Sequence, residues 1–214
     1  MNSIILYSVS AVVIAYLLGS IPTSYIMGKL FRKIDIRQHG SGNVGATNAL
    51  RILGVKMGIT VMIIDILKGY VAVQIGKLIL LQWTESDFFN YLLIIIAFGA
   101  IMGHIFTVFL NFKGGKGVAT SAGVFLSLTP IPFIAALLFF ILTVTVSKYV
   151  SLGSIIASVV LIISETVINI KSGFAEIEFL ILVFLVAFFI IIKHKANIKR
   201  LLAGNENKIS FTKK

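Results

Sequence analysis

Apolar residues run through the chain in long blocks, and polar residues are confined to short stretches between them. A membrane-crossing helix needs about 20 mostly apolar residues, fewer or more with tilt. Seven blocks are candidates: residues 4–27, 57–81, 88–103, 118–129, 131–146, 152–170 and 179–192. The pattern therefore predicts an all-α, polytopic integral membrane protein with seven transmembrane helices, residues 1–214 forming a single domain. The fourth block is the shortest and is closed by Pro130. It is a crossing, a re-entrant segment or part of the fifth. Gly19, Ser20 and Pro22 interrupt the first block, and small residues there allow close helix packing. That block lacks a basic leading region and a small-residue cleavage site, so it reads as a retained span. No internal repeat or inverted half-to-half symmetry is visible, which weighs against many secondary-transporter folds.

Composition agrees. Of 214 residues, 58% are hydrophobic and 13% charged, and the mean hydropathy is +1.03. A soluble domain of this size has no means of hiding so much apolar surface. A soluble enzyme, a disordered chain and a DNA-binding module are excluded. The chain has no cysteine and three histidines, with no pair at metal-ligand spacing, so neither a disulfide nor a zinc site is expected.

The net charge of +11 is explained by where the charges fall. Lys29, Arg32, Lys33, Arg37, Arg51 and Lys56 lie in the first connection, Lys113 and Lys116 in the third, and Lys148 in the fifth. Lys193, Lys195, Lys199, Arg200, Lys208, Lys213 and Lys214 make the tail. With seven spans, these sixteen of nineteen basic residues share one face. The other face carries Glu85, Asp87, Glu176 and Glu178, with Lys171 its only base. Basic residues gather on the cytoplasmic side, so the N-terminus is placed outside and the C-terminus in the cytoplasm. Nucleic acid drops out as a partner.

Ionisable groups inside spans are costly. Asp65 and Lys68, three apart, share a helix face and read as a structural ion pair, with a substrate contact or proton relay as the alternative. Lys77 is expected to snorkel outward. Glu165 has no evident local partner in the sequence.

Three polar, glycine-rich stretches stand out, all on the predicted cytoplasmic face. In the first, Gly40 to Arg51, glycines let the backbone turn tightly and expose N–H groups to an anion. Ser41, Asn43, Thr47 and Asn48 add side-chain donors, and Arg51 adds a fork able to hold phosphate. The order of a nucleotide P-loop is absent. In the second, Lys113-Gly114-Gly115-Lys116-Gly117 precedes an apolar helix, whose N-terminus suits phosphate. His104, just upstream, reads as a satisfied buried histidine. The third stretch follows the last block. If the helix continues, His194 and Asn197 share a face, and a histidine at the boundary suits a general base. Ser151 opens the sixth block on the same side as a candidate helix cap. These residues alone indicate a membrane protein handling phosphate-bearing ligands; a transporter of a phosphorylated metabolite and an enzyme both fit. A CDP-alcohol phosphotransferase does not, because eight scattered acids supply no carboxylate-rich metal motif.

Ser41-Gly42-Asn43-Val44-Gly45-Ala46-Thr47-Asn48 with Arg51 resembles the first motif of the PlsY family, the bacterial acyl-phosphate-dependent glycerol-3-phosphate acyltransferases. Phe112 to Thr120 resembles the second, and His194, Asn197, Arg200, Leu201, Gly204 and Glu206 the last. Gly19 to Ser24 and Ser151-Leu152 also match, so the resemblance covers about residues 16 to 206. Thr107 departs from the pattern, which usually has proline there. The resemblance implies a seven-span inner-membrane enzyme, active on the cytoplasmic side. It would transfer a fatty acyl group from acyl phosphate to the 1-hydroxyl of sn-glycerol 3-phosphate, giving lysophosphatidate and phosphate for phospholipid synthesis. Its partners would be membrane lipid, the two substrates and the soluble enzyme that makes acyl phosphate. No cofactor and no metal are expected.

Acyl phosphate is an activated anhydride, so neither a covalent intermediate nor a Ser-His-Asp arrangement is needed. The H-x-x-x-x-D signature of other acyltransferases is absent: Val44, Phe109 and Lys199 stand where the acid would follow His39, His104 and His194. The candidate catalytic residues are Ser41, Lys113, His194 and Asn197. The candidate substrate-binding residues are Gly42, Asn43, Gly45, Ala46, Thr47, Asn48, Arg51, Gly114, Gly115, Lys116, Gly117 and Ser151. The base is His194 or a substrate phosphate oxygen, and which loop holds which phosphate is open.

Overall fold

The computed structural model describes residues 2–81 and 88–209. Glu85 and Asp87 of the outer face, and Lys213 and Lys214 of the tail, lie outside the described residues. Among the described residues there are helices and turns but no strand. The chain divides into two compact units, Met1–Leu128 and Thr129–Lys214.

The first unit holds α1 (Asn2–Ser20), α2 (Thr23–Arg32), α3 (Ala46–Leu53), α4 (Val55–Ile79), α5 (Phe89–Ile105) and α6 (Val118–Leu128). The first apolar block is thus two helices. The break falls at Ile21-Pro22, where Pro22 becomes the N-cap of α2. Gly19 packs against the Ala100 carbonyl of α5, so the expected close approach is realised there; a Cβ at that position would collide with backbone. The buried residues of α4 are Gly58, Val61, Asp65, Lys68, Gly69, Ala72, Val73 and Gly76. Their spacing of three and four makes one helix face, and it carries Asp65 and Lys68 inward. α6 has eleven residues, about 17 Å at 1.5 Å each, against a hydrocarbon core of about 30 Å. Lys77 Nζ, partly exposed near the end of α4, donates to the Ser127 carbonyl at 3.2 Å, capping the last turn of α6.

The second unit holds α7 (Pro130–Ser147), α8 (Val150–Lys171), α9 (Ile177–Lys193) and α10 (Lys195–Leu202). Pro130 opens α7, where its missing N–H is harmless. Lys148, left-handed at φ 63°, closes α7 before α8 begins. Glu165 is buried and does have a local partner: Asn169, one turn on, donates to its Oε1 at 3.1 Å.

Among the described residues, five stretches are long and apolar enough to cross a membrane: Ser3–Arg32, α4, Phe89–Leu110, α7 and α8. The bent pair α9–α10 makes a sixth if taken as one span.

Candidate functional site

In the first unit two loops rest on one core. Ile36 and Val44 from the loop after α2, Ala49 and Leu53 of α3, Val61 of α4 and Leu110 of the later loop form a single buried cluster. Apolar anchors in both glycine-rich segments thereby hold their polar parts at the surface of one packed body.

The first loop is built by its own side chains. Asp35 caps a 3-10 turn at Ile36–Gln38, accepting from the Arg37 N–H at 3.0 Å, and pairs with the Arg37 guanidinium at 2.7 Å. The Arg37 side chain beside it holds the Asp35 carboxyl down at about 2. Asn48 is buried, and both ends of its amide are engaged. Oδ1 accepts from Ser41 N at 3.0 Å, and Nδ2 donates to Ile36 O at 3.3 Å and His39 O at 3.1 Å. Asn43 Oδ1 accepts from Gly45 N at 2.9 Å. Both asparagines therefore shape the loop. Asn48 in particular is inside it rather than offered outward, which its donor chemistry alone had not distinguished. Gly42 sits at φ +70°, a left-handed turn suited to glycine. No side chain caps the N-terminus of α3 at Gly45. Thr47 and Arg51, four apart, share the partly exposed face of α3, and Ser41 is exposed beside the turn.

The second loop leaves α5 through Phe106 and returns along it. Gly114 N donates to Ile105 O at 3.1 Å and Gly115 N to His104 O at 2.9 Å. Gly115 abuts the Nε2 edge of the His104 ring, and any Cβ would meet His104 Nε2. Lys113 is exposed, Lys116 half-buried, and Gly117 enters α6 at φ +88°. Thr107 has φ −65°, the angle proline would impose, so this departure preserves the backbone. Its hydroxyl adds a bond of its own to Ser20 O at 2.5 Å.

Behind the loops lies a buried polar group that sequence reasoning saw only in part. Asp65 Oδ1 meets Lys68 Nζ at 2.8 Å and accepts from Thr23 Oγ1 at 2.9 Å. His104 Nδ1 is 3.9 Å away. The ion pair on one helix face was legible; the threonine and histidine, 42 and 39 residues distant in sequence, were not.

In the second unit the chain does not continue straight past His194. It bends by 58° there, between α9 and α10. The Ile198 N–H still reaches His194 O at 2.8 Å, so both His194 and Asn197 stay buried despite the bend. His194 Nδ1 contacts the Ile190 carbonyl at 2.7 Å. A carbonyl only accepts, so Nδ1 carries the proton of the neutral ring and the lone pair belongs to Nε2. Glu206 gathers the rest. It accepts from Ser151 Oγ at 3.1 Å, Asn197 Nδ2 at 2.7 Å and Arg200 Nε at 2.7 Å. Burial alone would raise its carboxyl; the three donors outweigh burial and hold it below the usual range. Ser151, expected as a helix cap, serves this carboxylate instead. Glu206 belongs to the last motif of the resemblance but was not among the candidate catalytic or binding residues, and nothing local in the sequence marks it as the acceptor for three donors.

The family model described as glycerol-3-phosphate acyltransferase matches residues 9–204. The chain belongs to the glycerol-3-phosphate acyltransferase family. It is 43% identical to the glycerol-3-phosphate acyltransferase of Chlorobaculum tepidum, over 95% of this chain and 97% of that one. It is 45% identical to glycerol-3-phosphate acyltransferase 2 of Bacillus anthracis, over 94% and 99%. It also superposes on the crystal structure of PlsY (YgiH), an integral membrane glycerol 3-phosphate acyltransferase, in its glycerol 3-phosphate form. There the TM-score is 0.82, with 34% identity over 95% of this chain and 96% of that one. The lysophosphatidic acid form of the same protein gives 0.80 at 33% identity. The family match runs through both units and contains the first two motifs and the third as far as Gly204. This chain is thus an all-helical, multi-pass membrane acyltransferase.

Proposed function

We propose that this acyltransferase takes a fatty acyl group from acyl phosphate and delivers it to the 1-hydroxyl of sn-glycerol 3-phosphate. The products are 1-acylglycerol 3-phosphate and inorganic phosphate, entering phospholipid synthesis. The observation that carries the reading is the pair of glycine-rich loops with basic side chains, built on one core in the first unit of a family acyltransferase. Both substrates bear phosphate, and two such loops suit two phosphates.

The glycerol hydroxyl attacks the acyl carbonyl, forming the ester C–O bond. The carbonyl–phosphate oxygen bond breaks, and phosphate leaves with the electron pair. The hydroxyl proton goes to Nε2 of His194 or to a substrate phosphate oxygen. Positioning supplies much of the rate, because the donor is already activated. Lys113, with Lys116, neutralises phosphate charge beside the Gly114, Gly115 and Gly117 backbone. Ser41, Gly42, Asn43, Gly45, Ala46 and Thr47 cradle a phosphate in a loop that Asn48 holds in shape. Arg51 clamps glycerol phosphate. Asn197 and Ser151, fixed by Glu206, support the acceptor side with His194. The mechanism calls for no cofactor and no metal.

Residues 1–214 act as one domain with seven crossings, the N-terminus outside and the C-terminus in the cytoplasm. It is a bacterial inner-membrane enzyme working at the cytoplasmic face, where the soluble acyl-phosphate-forming enzyme supplies the donor. The charge distribution supports this orientation.

The test uses purified protein in lipid with palmitoyl phosphate and glycerol 3-phosphate, following phosphate and lysophosphatidate together. Both products are expected in equal amounts from acyl phosphate, and none from acyl-CoA or acyl carrier protein. Transfer from acyl-CoA alone overturns the donor assignment.

A further inference from the structure

The buried Asp65–Lys68 pair touches neither loop directly, yet everything around it leads to the second one. Lys68 Nζ donates to Ile21 O at 3.0 Å, and Thr23 at the start of α2 donates to Asp65. The pair therefore fixes the break between α1 and α2. Ser20, at that same break, donates to Gly103 O at 3.3 Å and accepts from Thr107. The end of α5 and the beginning of the second loop are tied to the same point. His104 completes the chain. One edge of its ring faces Asp65, and the other supports Gly115.

Between these groups is a small cavity lined by Ser20, Thr23, Asp65, Lys68, His104 and Thr107. It has room for a single water-sized occupant with several polar partners, the condition for an internal water. Asp65 Oδ2, buried at 1% exposure, faces no hydrogen-bond partner among the described residues. His104 Nδ1 stands 3.9 Å from Asp65 Oδ1, too long for a direct bond, and a water held by the unpartnered Oδ2 would join the carboxylate to the ring. Lys68 already balances the Asp65 charge, so a neutral occupant fits better than an ion.

We propose that Asp65, Lys68 and His104, bridged by one internal water, form a brace that sets the position of the Lys113–Gly117 loop. Asp65 and His104 are then positioning residues for acyl transfer, acting through Gly115. A buried ion pair is a poor source of stability compared with apolar groups of the same shape, and its best-attested use is to fix register. That matches a pair spanning α4, the α1–α2 break and, through His104, the phosphate loop.

The inference rests on reading Lys113–Gly117 as a phosphate loop, and the experiment separates the two. Kinetic constants are measured for both substrates on folded, monodisperse protein with Lys113→Ala, Asp65→Asn and the combination. The isosteric neutral pair Asp65→Asn with Lys68→Met serves if Asp65→Asn alone does not fold. Each single change is expected to raise KM for one and the same substrate, by about tenfold for Asp65→Asn. The combination should cost less than the product of the two, because a displaced loop has less left to lose when Lys113 is removed. A second pair checks the contact itself: Gly115→Ala lowers activity, and His104→Ala beside it restores part, because the new methyl occupies space the ring vacated. Wild-type constants in folded Asp65→Asn or in the neutral pair overturn the brace while leaving the loop reading intact. An inert Lys113→Ala overturns the loop reading, and the brace with it. Strictly multiplicative effects, or no recovery in the double variant, also refute the brace.

Discussion

Replacing Glu206 tests whether α10 is held by one carboxylate. Glu206→Ala removes the acceptor for Ser151, Asn197 and Arg200 at once. Ser151 and Asn197 are buried, and a stranded buried donor costs about 1–3 kcal/mol. The Arg200 side chain is 37% exposed, so solvent screening leaves its share below about 1 kcal/mol. Together the loss is about 3 kcal/mol of docking energy, or about 100-fold in the local opening equilibrium. Hydrogen exchange in lipid reads this directly: amides of α10 and of the tail up to Ile209 exchange about 100-fold faster, limited by global opening. Glu206→Gln keeps one oxygen for Ser151 and Asn197 but loses the arginine, so its effect is about tenfold or less. pH gives an independent check. The folded carboxyl titrates below its ordinary value of 4.5. Its contribution is therefore complete above that value and is lost as pH falls through the lower folded one. Wild-type α10 should lose protection in that acid window, and Glu206→Gln should show no such loss. Unchanged exchange of α10 in Glu206→Ala refutes the reasoning, whatever happens to activity.

Asn48→Ala strands the Ser41 N–H and two carbonyls; it should destabilise the first loop by about 2 kcal/mol and raise KM for a phosphate substrate, checked by thermal unfolding and kinetics. Arg51→Lys keeps charge but not the fork, so KM for glycerol 3-phosphate should rise about tenfold with little change in kcat; an unchanged KM removes Arg51 from that role. His194→Gln should lower kcat about 100-fold, with KM nearly constant; wild-type turnover assigns the proton to a substrate phosphate. Because the chain has no cysteine, single cysteines at Lys148 and Ser172 report sidedness: an impermeant thiol reagent added to intact cells should label Ser172→Cys and spare Lys148→Cys, and the reverse inverts the topology.

Local signals and long-range ones fared differently. Helices were legible because an apolar run in lipid has one way to satisfy its backbone. All seven apolar blocks are helical, but the first is two helices and the fourth is only α6, eleven residues long. The interruption at Gly19, Ser20 and Pro22 and the shortness of the fourth block were legible, but not that Pro22 would begin a separate helix. The glycine motifs were also legible, because turns and anion loops are coded over a few residues. Which of their side chains point outward was not. Asn43 and Asn48 have the same chemistry as ligand donors, and only folding reveals that the loop bonds them to itself. The bend at His194 escaped notice for the opposite reason: residues on both sides favour helix, and the direction changes without a proline or glycine to mark it.

The acids explain why a chain so rich in bases can still discriminate among them. A phosphate site needs cations that are not already neutralised. With nineteen basic residues and eight acids, most bases have no carboxylate to meet. Three of the acids go to particular bases: Asp35 to Arg37, Asp65 to Lys68, Glu206 to Arg200. In each case the pair sits beside a motif and braces its backbone. Asp35 caps the turn entering the first loop, Asp65 fixes the helix break behind the second, and Glu206 joins α10 to Ser151 of α8. Lys113, by contrast, has no carboxylate partner among the described residues and lies exposed. Charge neutralisation thus commits three bases to the scaffold and leaves Lys113 exposed for the phosphate contact proposed for it. Moving one acid would undo the sorting: with Asn111→Asp, an isosteric change at an exposed position two residues from Lys113, the new carboxylate should raise KM for a phosphate substrate, and it should do so more strongly at low salt, where the new pair is least screened.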